Sequence, residues 1–288
     1  MGLPEKNFLM PVIASPQVTQ HILTKYKLSA SKKLGQNFLI DPSVVQRIAQ
    51  AAELTKDDLV LEIGPGIGTL TQSLAETKAQ VVAVELDQRL LPILHTTLAD
   101  YNNIQIIHGD ILETDIPELT GHRTFKCCAN LPYYITTPII FSILEKQLNW
   151  ERLVFMVQKE VAERVVANPG GKDYGALSVT MQYYTEPTIA FTVPPSSFIP
   201  APQVESAVLV CKHRSQPPVQ LNSETTFFKV VKAAFSLRRK MLRNSLKNYE
   251  GLTAEQVEFW LAKANIDGTR RAETLTLQEF ADLANAIN

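Results

Sequence analysis

The chain has 288 residues, with 28 Lys and Arg against 29 Asp and Glu, a formal net charge of −1, 45% apolar and 20% charged residues. That composition supports a large buried core and excludes disordered and fibrous classes. Three cysteines, two of them adjacent at Cys127 and Cys128, make no disulfide framework and match no zinc spacing. No apolar run approaches the roughly 18 residues of a membrane span, so a soluble cytoplasmic chain is expected.

Residues 1–20 read as an N-terminal extension: the apolar stretch 8–14 is broken by Pro11 and preceded only by Lys6, which suits a loose tail better than a signal peptide. Asp41-Pro42 is a helix start, followed by one apolar stripe of Val44, Val45, Ile48, Ala49 and Ala52. From residue 59 short β-branched runs alternate with helical patterns. Strands are expected at 59–63, 81–85, 104–107, 125–129 and 153–157, with helices near 70–76 and 90–98, the pattern of βαβ units in a mostly parallel sheet. The runs 188–193 and 207–212 flank a Pro-rich loop with no helix between them and predict a closing antiparallel hairpin. Ser215-Gln216-Pro217-Pro218 is the clearest linker. Beyond it the pattern is helical, with capping boxes at Thr253-Ala254-Glu255-Gln256 and Thr276-Leu277-Gln278-Glu279. The expected fold is α/β: a Rossmann-like domain over 21–214 and a smaller all-helical domain over 219–288.

Charge is segregated. Acids dominate 51–120, whereas Lys229, Lys232, Arg238, Arg239, Lys240, Arg243 and Lys247 stand in 226–247 without a single acid. A second basic group comprises Lys25, Lys27, Lys32 and Lys33. If 235–247 is helical, Lys240, Arg243 and Lys247 share one face, which reads either as a solvated surface or as a phosphate contact. The scattered histidines, His95 and His108 among them, form no metal constellation, and no metal is expected.

Glu62-Ile63-Gly64-Pro65-Gly66-Ile67-Gly68 closes the first strand and opens a helix. Gly64 and Gly66 let the backbone turn sharply and admit a ligand where a Cβ would obstruct it. The spacing is G-x-G-x-G, not the G-x-G-x-x-G of a dinucleotide fold. Glu85 ends the second strand about 20 residues on, where a carboxylate takes ribose hydroxyls, and Asp110 ends the third, within reach of an adenine edge. A nucleoside without a pyrophosphate fits this better than NAD, and S-adenosylmethionine is the common ligand of that kind.

Asn130-Leu131-Pro132-Tyr133 follows the fourth strand, at the carboxyl edge where open α/β sheets bind ligands. An exocyclic adenine amine is a weak nucleophile because its lone pair is delocalised into the ring. The Asn130 oxygen and the Leu131 carbonyl can each accept one of its hydrogens, Pro132 stiffens the turn, and Tyr133 offers a stacking face. A sulfonium donor carries its own leaving group, so alignment and electrostatics suffice for catalysis. Phe198, in the Pro-rich loop, reads either as the other side of a flipped-base pocket or as a plug in the hairpin core.

The segments 34–41 (LGQNFLID), 62–68, 130–133, 198–208 and 235–246 resemble the ribosomal RNA adenine dimethyltransferase family, most closely its bacterial small-subunit (16S) branch, in order and over nearly the whole chain from residue 20. The resemblance implies transfer of four methyl groups to two adjacent adenosines in the 3′-terminal hairpin of 16S rRNA within the 30S subunit, by a monomer. It also implies that Asn37, Leu39, Gly64, Glu85, Asp110 and Asn130 line the S-adenosylmethionine site. Asn37 beside a helix start otherwise reads as a cap, and its role, with that of Leu39, comes from the resemblance alone. RNA contact at Lys32, Lys33, Arg238, Arg239, Lys240 and Arg243 is preferred over a solvated surface because these cations accompany an adenine-methylating site. The chain has Glu205 where the family usually has Asp. The rival readings are a large-subunit (23S) dimethylase of the macrolide-resistance type, a DNA adenine methylase, a non-catalytic ribosome-assembly factor and an NAD enzyme.

Overall fold

The computed structural model describes residues 11–31, 33–146, 148–237 and 239–287. These form two compact units, one running to Gln158 and including Ala190–Val210, the other made of Lys159–Ile189 and Cys211 onward.

The first unit is organised around parallel strands β2 (Leu59–Ile63), β3 (Gln80–Glu85), β4 (Ile104–His108), β5 (Phe125–Asn130) and β6 (Trp150–Gln158), preceded by the short β1 (Phe38–Leu39). Helices α1 (Pro16–Lys25), α2 (Pro42–Ala51), α3 (Thr69–Glu76), α4 (Leu91–Thr97), α5 (Ile116–Thr120) and α6 (Thr136–Glu145) accompany them. Every residue of β2 is buried, as expected of a central strand covered on both faces. The chain continues as α7 (Lys159–Val166), α8 (Ala176–Tyr184), β7 (Thr185–Val193), β8 (Phe198–Ile199) and β9 (Ser206–His213). The seven-stranded sheet has the order β4-β3-β2-β5-β6-β9-β7. From β2 the chain builds outward through β3 and β4 on one side and β5 and β6 on the other. The direction of winding therefore reverses between β2 and β5, which opens a crevice at their carboxyl ends.

The predicted strands are present within a few residues of their expected bounds. β9 lies beside β7, and the Arg214 amide donates to the Tyr184 carbonyl at 3.0 Å, joining the end of one strand to the start of the other as an antiparallel pair requires. Not foreseen was a separate two-stranded sheet in which β1 pairs antiparallel with β8, Leu39 opposite Phe198.

Three expectations are corrected. Residues 11–20 are no loose tail. Ser15 caps α1 by accepting from the Val18 amide, Pro16 occupies its first turn, and Ile13, Ala14, Thr19 and Ile22 are buried. The Ile13 amide donates to Gln72 Oε1 at 2.9 Å, and Gln72 Nε2 donates to the Pro11 carbonyl at 3.2 Å, so a segment that looks unpatterned is held by α3. Phe8 and Lys6 lie outside the described residues.

The boundary expected at 214 also shifts. Tyr174, Val179 and Tyr183 share one core with Phe227, Val230, Leu242, Leu246, Trp260 and Phe280, and the Tyr183 and Phe227 rings lie 5.3 Å apart. The apolar face of α8 thus belongs to the second unit, together with α9 (Glu224–Ala234), α10 (Leu242–Ser245), α11 (Ala254–Lys263) and α12 (Leu277–Asn285). Both predicted capping boxes are formed, at the starts of α11 and α12.

The basic stretch 235–247 is not one helix. α9 ends at Ala234, the Ser236 hydroxyl caps the Ala233 carbonyl at 2.7 Å, and Arg239 turns back with φ +72° before α10 begins. Leu242 and Leu246 are fully buried, so the apolar positions turn inward and break the continuous helix that the pattern suggested. Lys240, Arg243 and Lys247 therefore share no single helical face.

Candidate active site

A cleft of about 320 Å³ opens at the switch point. It brings together the glycine turn, Asn37, Leu39, Glu85, Asp110, Asn130 to Tyr133 and Phe198. Every residue expected to hold cofactor or target base lines this one space.

The glycine turn is set by backbone geometry. Gly66 has φ +64°, a conformation costly for a residue with a Cβ, and its amide donates to Glu85 Oε2 at 3.0 Å. At Gly68 (φ +93°) a side chain would be strained by the backbone conformation, and its Cβ would lie 3.1 Å from the Leu98 side chain just past α4, which would have to give way. Glu85 Oε1 accepts from the Asp87 amide at 2.8 Å. Burial raises the pKa of the Glu85 carboxyl above the ordinary range, and its backbone hydrogen bonds partly offset this. Asp87 is clamped by Arg89 at 2.6 Å and by Gln36 Nε2 at 2.8 Å, which hold its carboxyl below the ordinary range. Gln36 escaped the sequence reading although it stands within the 34–41 motif. It ties that segment to the loop after β3.

In the sequence Glu62 stands out only as the acid preceding the glycines. It is 1% exposed, lines the cleft, and its Oε2 has no hydrogen-bond partner. Burial pushes its carboxyl up to about 8, with a weaker opposing pull from Thr71 and a further push from Glu85. A buried, unpaired acid facing a cleft is a strong receptor for a cationic group. Asp110 Oδ1 accepts from the Leu112 amide at 2.9 Å, which fixes its side chain at the end of β4.

Around the reacting group, Asn130 Nδ2 donates to the Asn37 carbonyl at 3.3 Å, and the Asn37 side chain donates to the Gly35 carbonyl at 3.2 Å. The Leu131 amide donates to the Met156 carbonyl at 3.0 Å, holding the turn against β6. The Pro132 carbonyl accepts from the Ile135 amide and the Thr136 hydroxyl, which start α6. Tyr133 shares a 2.6 Å hydroxyl hydrogen bond with Ser206, a partner that sequence spacing did not reveal. Phe198 is 3% exposed, packs in one buried cluster with Leu39 and Val208, and also lines the cleft.

The expected RNA-contacting cations are distributed differently. Lys33, Arg239 and Lys240 are exposed. Arg243 is half-buried and approaches Glu258 at 3.8 Å. Lys32 and Arg238 lie outside the described residues. Among the described residues no cluster of His, Cys, Asp and Glu is arranged to hold a metal ion, and no helix is long and apolar enough to cross a membrane.

An α/β sheet wound from β2 in both directions, with its cleft at that reversal and a glycine turn lacking dinucleotide spacing, defines a Rossmann-like methyltransferase. Residues 27–288 match the family model described as ribosomal RNA adenine dimethylase. The "Ribosomal RNA small subunit methyltransferase A" of Geobacillus sp. (strain WCH70) is 50% identical over 283 residues, covering 96% of this chain and 97% of that protein. A dimethyladenosine transferase from Plasmodium falciparum superposes with a TM-score of 0.70 at 26% identity, over 85% of this chain and 95% of that one. The 23S rRNA methyltransferase ErmE gives 0.66 at 29% identity, over 87% and 99%. The chain belongs to the ribosomal RNA adenine dimethylase family.

Proposed function

We propose that the protein dimethylates N6 of two adjacent adenosines in the 3′-terminal hairpin of 16S rRNA, with S-adenosylmethionine as donor, acting as a cytoplasmic monomer on the small ribosomal subunit during its biogenesis. The observation that carries this reading is the Asn130 amide: its nitrogen is committed to the Asn37 carbonyl, which leaves Oδ1 as a fixed acceptor in the cleft. Oδ1 and the Leu131 carbonyl each take one hydrogen of the adenine amine and orient its lone pair. Tyr133 supplies the stacking face, and Phe198 closes the wall. This is catalysis by alignment, with no strong base.

The cleft suits the donor on its own chemistry. The unpaired Glu62 Oε2 would face an ammonium, the Glu85 carboxylate would accept ribose hydroxyls, Asp110 would meet the adenine edge, and Asn37 and Leu39 would cover the methionine end. Bound there, S-adenosylmethionine supplies a methyl group activated by the sulfonium charge. Lys33, Arg239 and Lys240 would contact RNA phosphates. The higher identity to the small-subunit relative than to ErmE, 50% against 29%, favours 16S over 23S RNA.

The deciding experiment is methyl transfer from labelled S-adenosylmethionine to undermethylated small subunits, with large subunits and duplex DNA in parallel. Dimethyladenosine confined to small subunits is expected. Label in large subunits would move the substrate to 23S rRNA, and none anywhere, with the donor still bound, would favour an assembly factor.

A further inference from the structure

Tyr134, immediately after the Asn130 to Tyr133 turn, has no role in the chemistry above, and its setting is unlike that of its neighbour. Tyr133 is held by its hydroxyl to Ser206. Tyr134 is 54% exposed yet still lines the cleft. Among the described residues no hydrogen bond, ion pair or ring contact engages its side chain. An aromatic ring that packs against no other ring and stands at the rim of a nucleotide cleft is an unoccupied stacking surface.

The segment beneath it is shaped to keep the ring there. Gly35 has φ +57°, and a Cβ at that position would lie 3.2 Å from Tyr134 Cδ1, 3.7 Å from Cε1 and 3.8 Å from Pro132 Cβ. The absent side chain leaves room for the Tyr134 ring against the backbone of the 34–41 segment. Gly35 thus lies against one part of the ring, and the residue as a whole is 54% exposed. Two residues before Gly35 the exposed Lys33 adds a positive charge to the same turn. A stacking face beside a cation is the arrangement that holds a nucleotide through both its base and its phosphate.

We propose that Tyr134 is a second base platform: a nucleobase adjacent to the target adenine in single-stranded RNA stacks on its ring, so that the site reads a dinucleotide step and not an isolated adenosine. This rests on the function proposed above. It adds a subsite for the neighbouring base, consistent with a substrate whose two adenosines are adjacent.

The test uses the full chain and its Tyr134→Phe and Tyr134→Ala variants. One readout is the fluorescence of a short single-stranded RNA carrying 2-aminopurine next to an adenine. The other is steady-state methylation of undermethylated small subunits. Stacking on an aromatic side chain contributes roughly 1–3 kcal/mol per base, so Tyr134→Ala should raise KM for RNA about tenfold, with the loss concentrated in KM and not in kcat. It should also abolish the change in 2-aminopurine fluorescence on binding. Tyr134→Phe should behave as wild type in both, and affinity for S-adenosylmethionine should stay within twofold in both variants. An Ala variant with unaltered KM and unaltered fluorescence change overturns the platform. So does a Phe variant as impaired as Ala, because the hydroxyl and not the ring would then carry the contact. The fluorescence readout needs no methyl transfer, so it still decides the role of Tyr134 if the wild type methylates no acceptor, the separate result that would remove the proposed function.

Discussion

The side-chain amide of Asn130 donates to the backbone carbonyl of Asn37, 3.3 Å away and 93 residues earlier in the chain. The bond joins the end of β5 to the segment before β1 and assigns the two ends of the amide different tasks. Removing the acceptor oxygen should therefore abolish transfer and leave the cofactor pocket largely intact. Asn130→Ala is expected to lower kcat by roughly a hundredfold or more, the scale of losing one oriented hydrogen-bonding group in a transition state. Binding of S-adenosylmethionine, measured by calorimetry, should weaken but remain detectable. Wild-type turnover in this variant would remove Asn130 from the chemistry.

Tyr133 and Ser206 are tied by a 2.6 Å hydroxyl contact, and burial raises the pKa of the Tyr133 phenol, keeping it neutral. Tyr133→Phe keeps the ring and loses one hydrogen bond of about 1 kcal/mol. Turnover should fall about fivefold, whereas Tyr133→Ala, which also loses the stacking face, should fall much further. Equal losses in the two variants would show that the ring itself contributes nothing.

Glu62 makes a pH-dependent prediction. Its carboxyl titrates near 8 in the folded protein, against an ordinary value of 4.5, chiefly because burial disfavours the charge. The groups facing it are Thr71 on α3, Glu85 on β3, and Cys127 and Cys128 on β5, and none supplies a positive charge. The folded state therefore binds more protons than the unfolded state between these values. The stability contribution is complete below about pH 4.5 and is lost as pH rises through about 8. Glu62→Gln should raise the melting temperature at pH 8.5 relative to wild type and make little difference at pH 5. A cationic ligand binding at pH 7 should displace the proton. Calorimetric titration with S-adenosylmethionine in buffers of different ionisation heat should show proton release by wild type and none by Glu62→Gln. Identical pH dependence of melting in the two proteins would sink this account.

The loop after α9 separates its cations by their surroundings. Arg239 and Lys240 are exposed, whereas Arg243 is half-buried and faces Glu258 at 3.8 Å. Reversing Arg239 and Lys240 to Glu should weaken RNA binding and reduce the slope of log affinity against log salt by about 1.4 to 1.8. Reversing Arg243 should change the slope less. An unchanged slope after the double reversal would take this loop out of the RNA interface.

Gln36 tests the tie between the 34–41 segment and the loop after β3. Its amide donates to Asp87 Oδ2 at 2.8 Å, and the Asp87 amide in turn donates to Glu85. Gln36→Ala should raise KM for S-adenosylmethionine severalfold and leave KM for RNA nearly unchanged, because only the orientation of Glu85 is loosened. A matching rise in KM for RNA would point to a wider collapse of the segment.

The amino-acid sequence by itself determined the features whose physics is local. Strand and helix periodicity, the glycine turn after β2, acids at the ends of β3 and β4, the Asn130 to Tyr133 turn and the capping boxes all depend on residues within a few positions of one another. Only the tertiary structure decided what depends on distant partners. Ile13 is buried because Gln72 and α3 receive it, and Gln36 matters because Asp87 lies across from it. Tyr133 is oriented by Ser206, and the basic stretch turns because Leu242 and Leu246 enter a core assembled from α8 to α12. In each case a side chain's surroundings come from chain segments tens of residues away. Spacing along the chain records that a residue is polar or apolar, but the partner that gives it a function is supplied by folding.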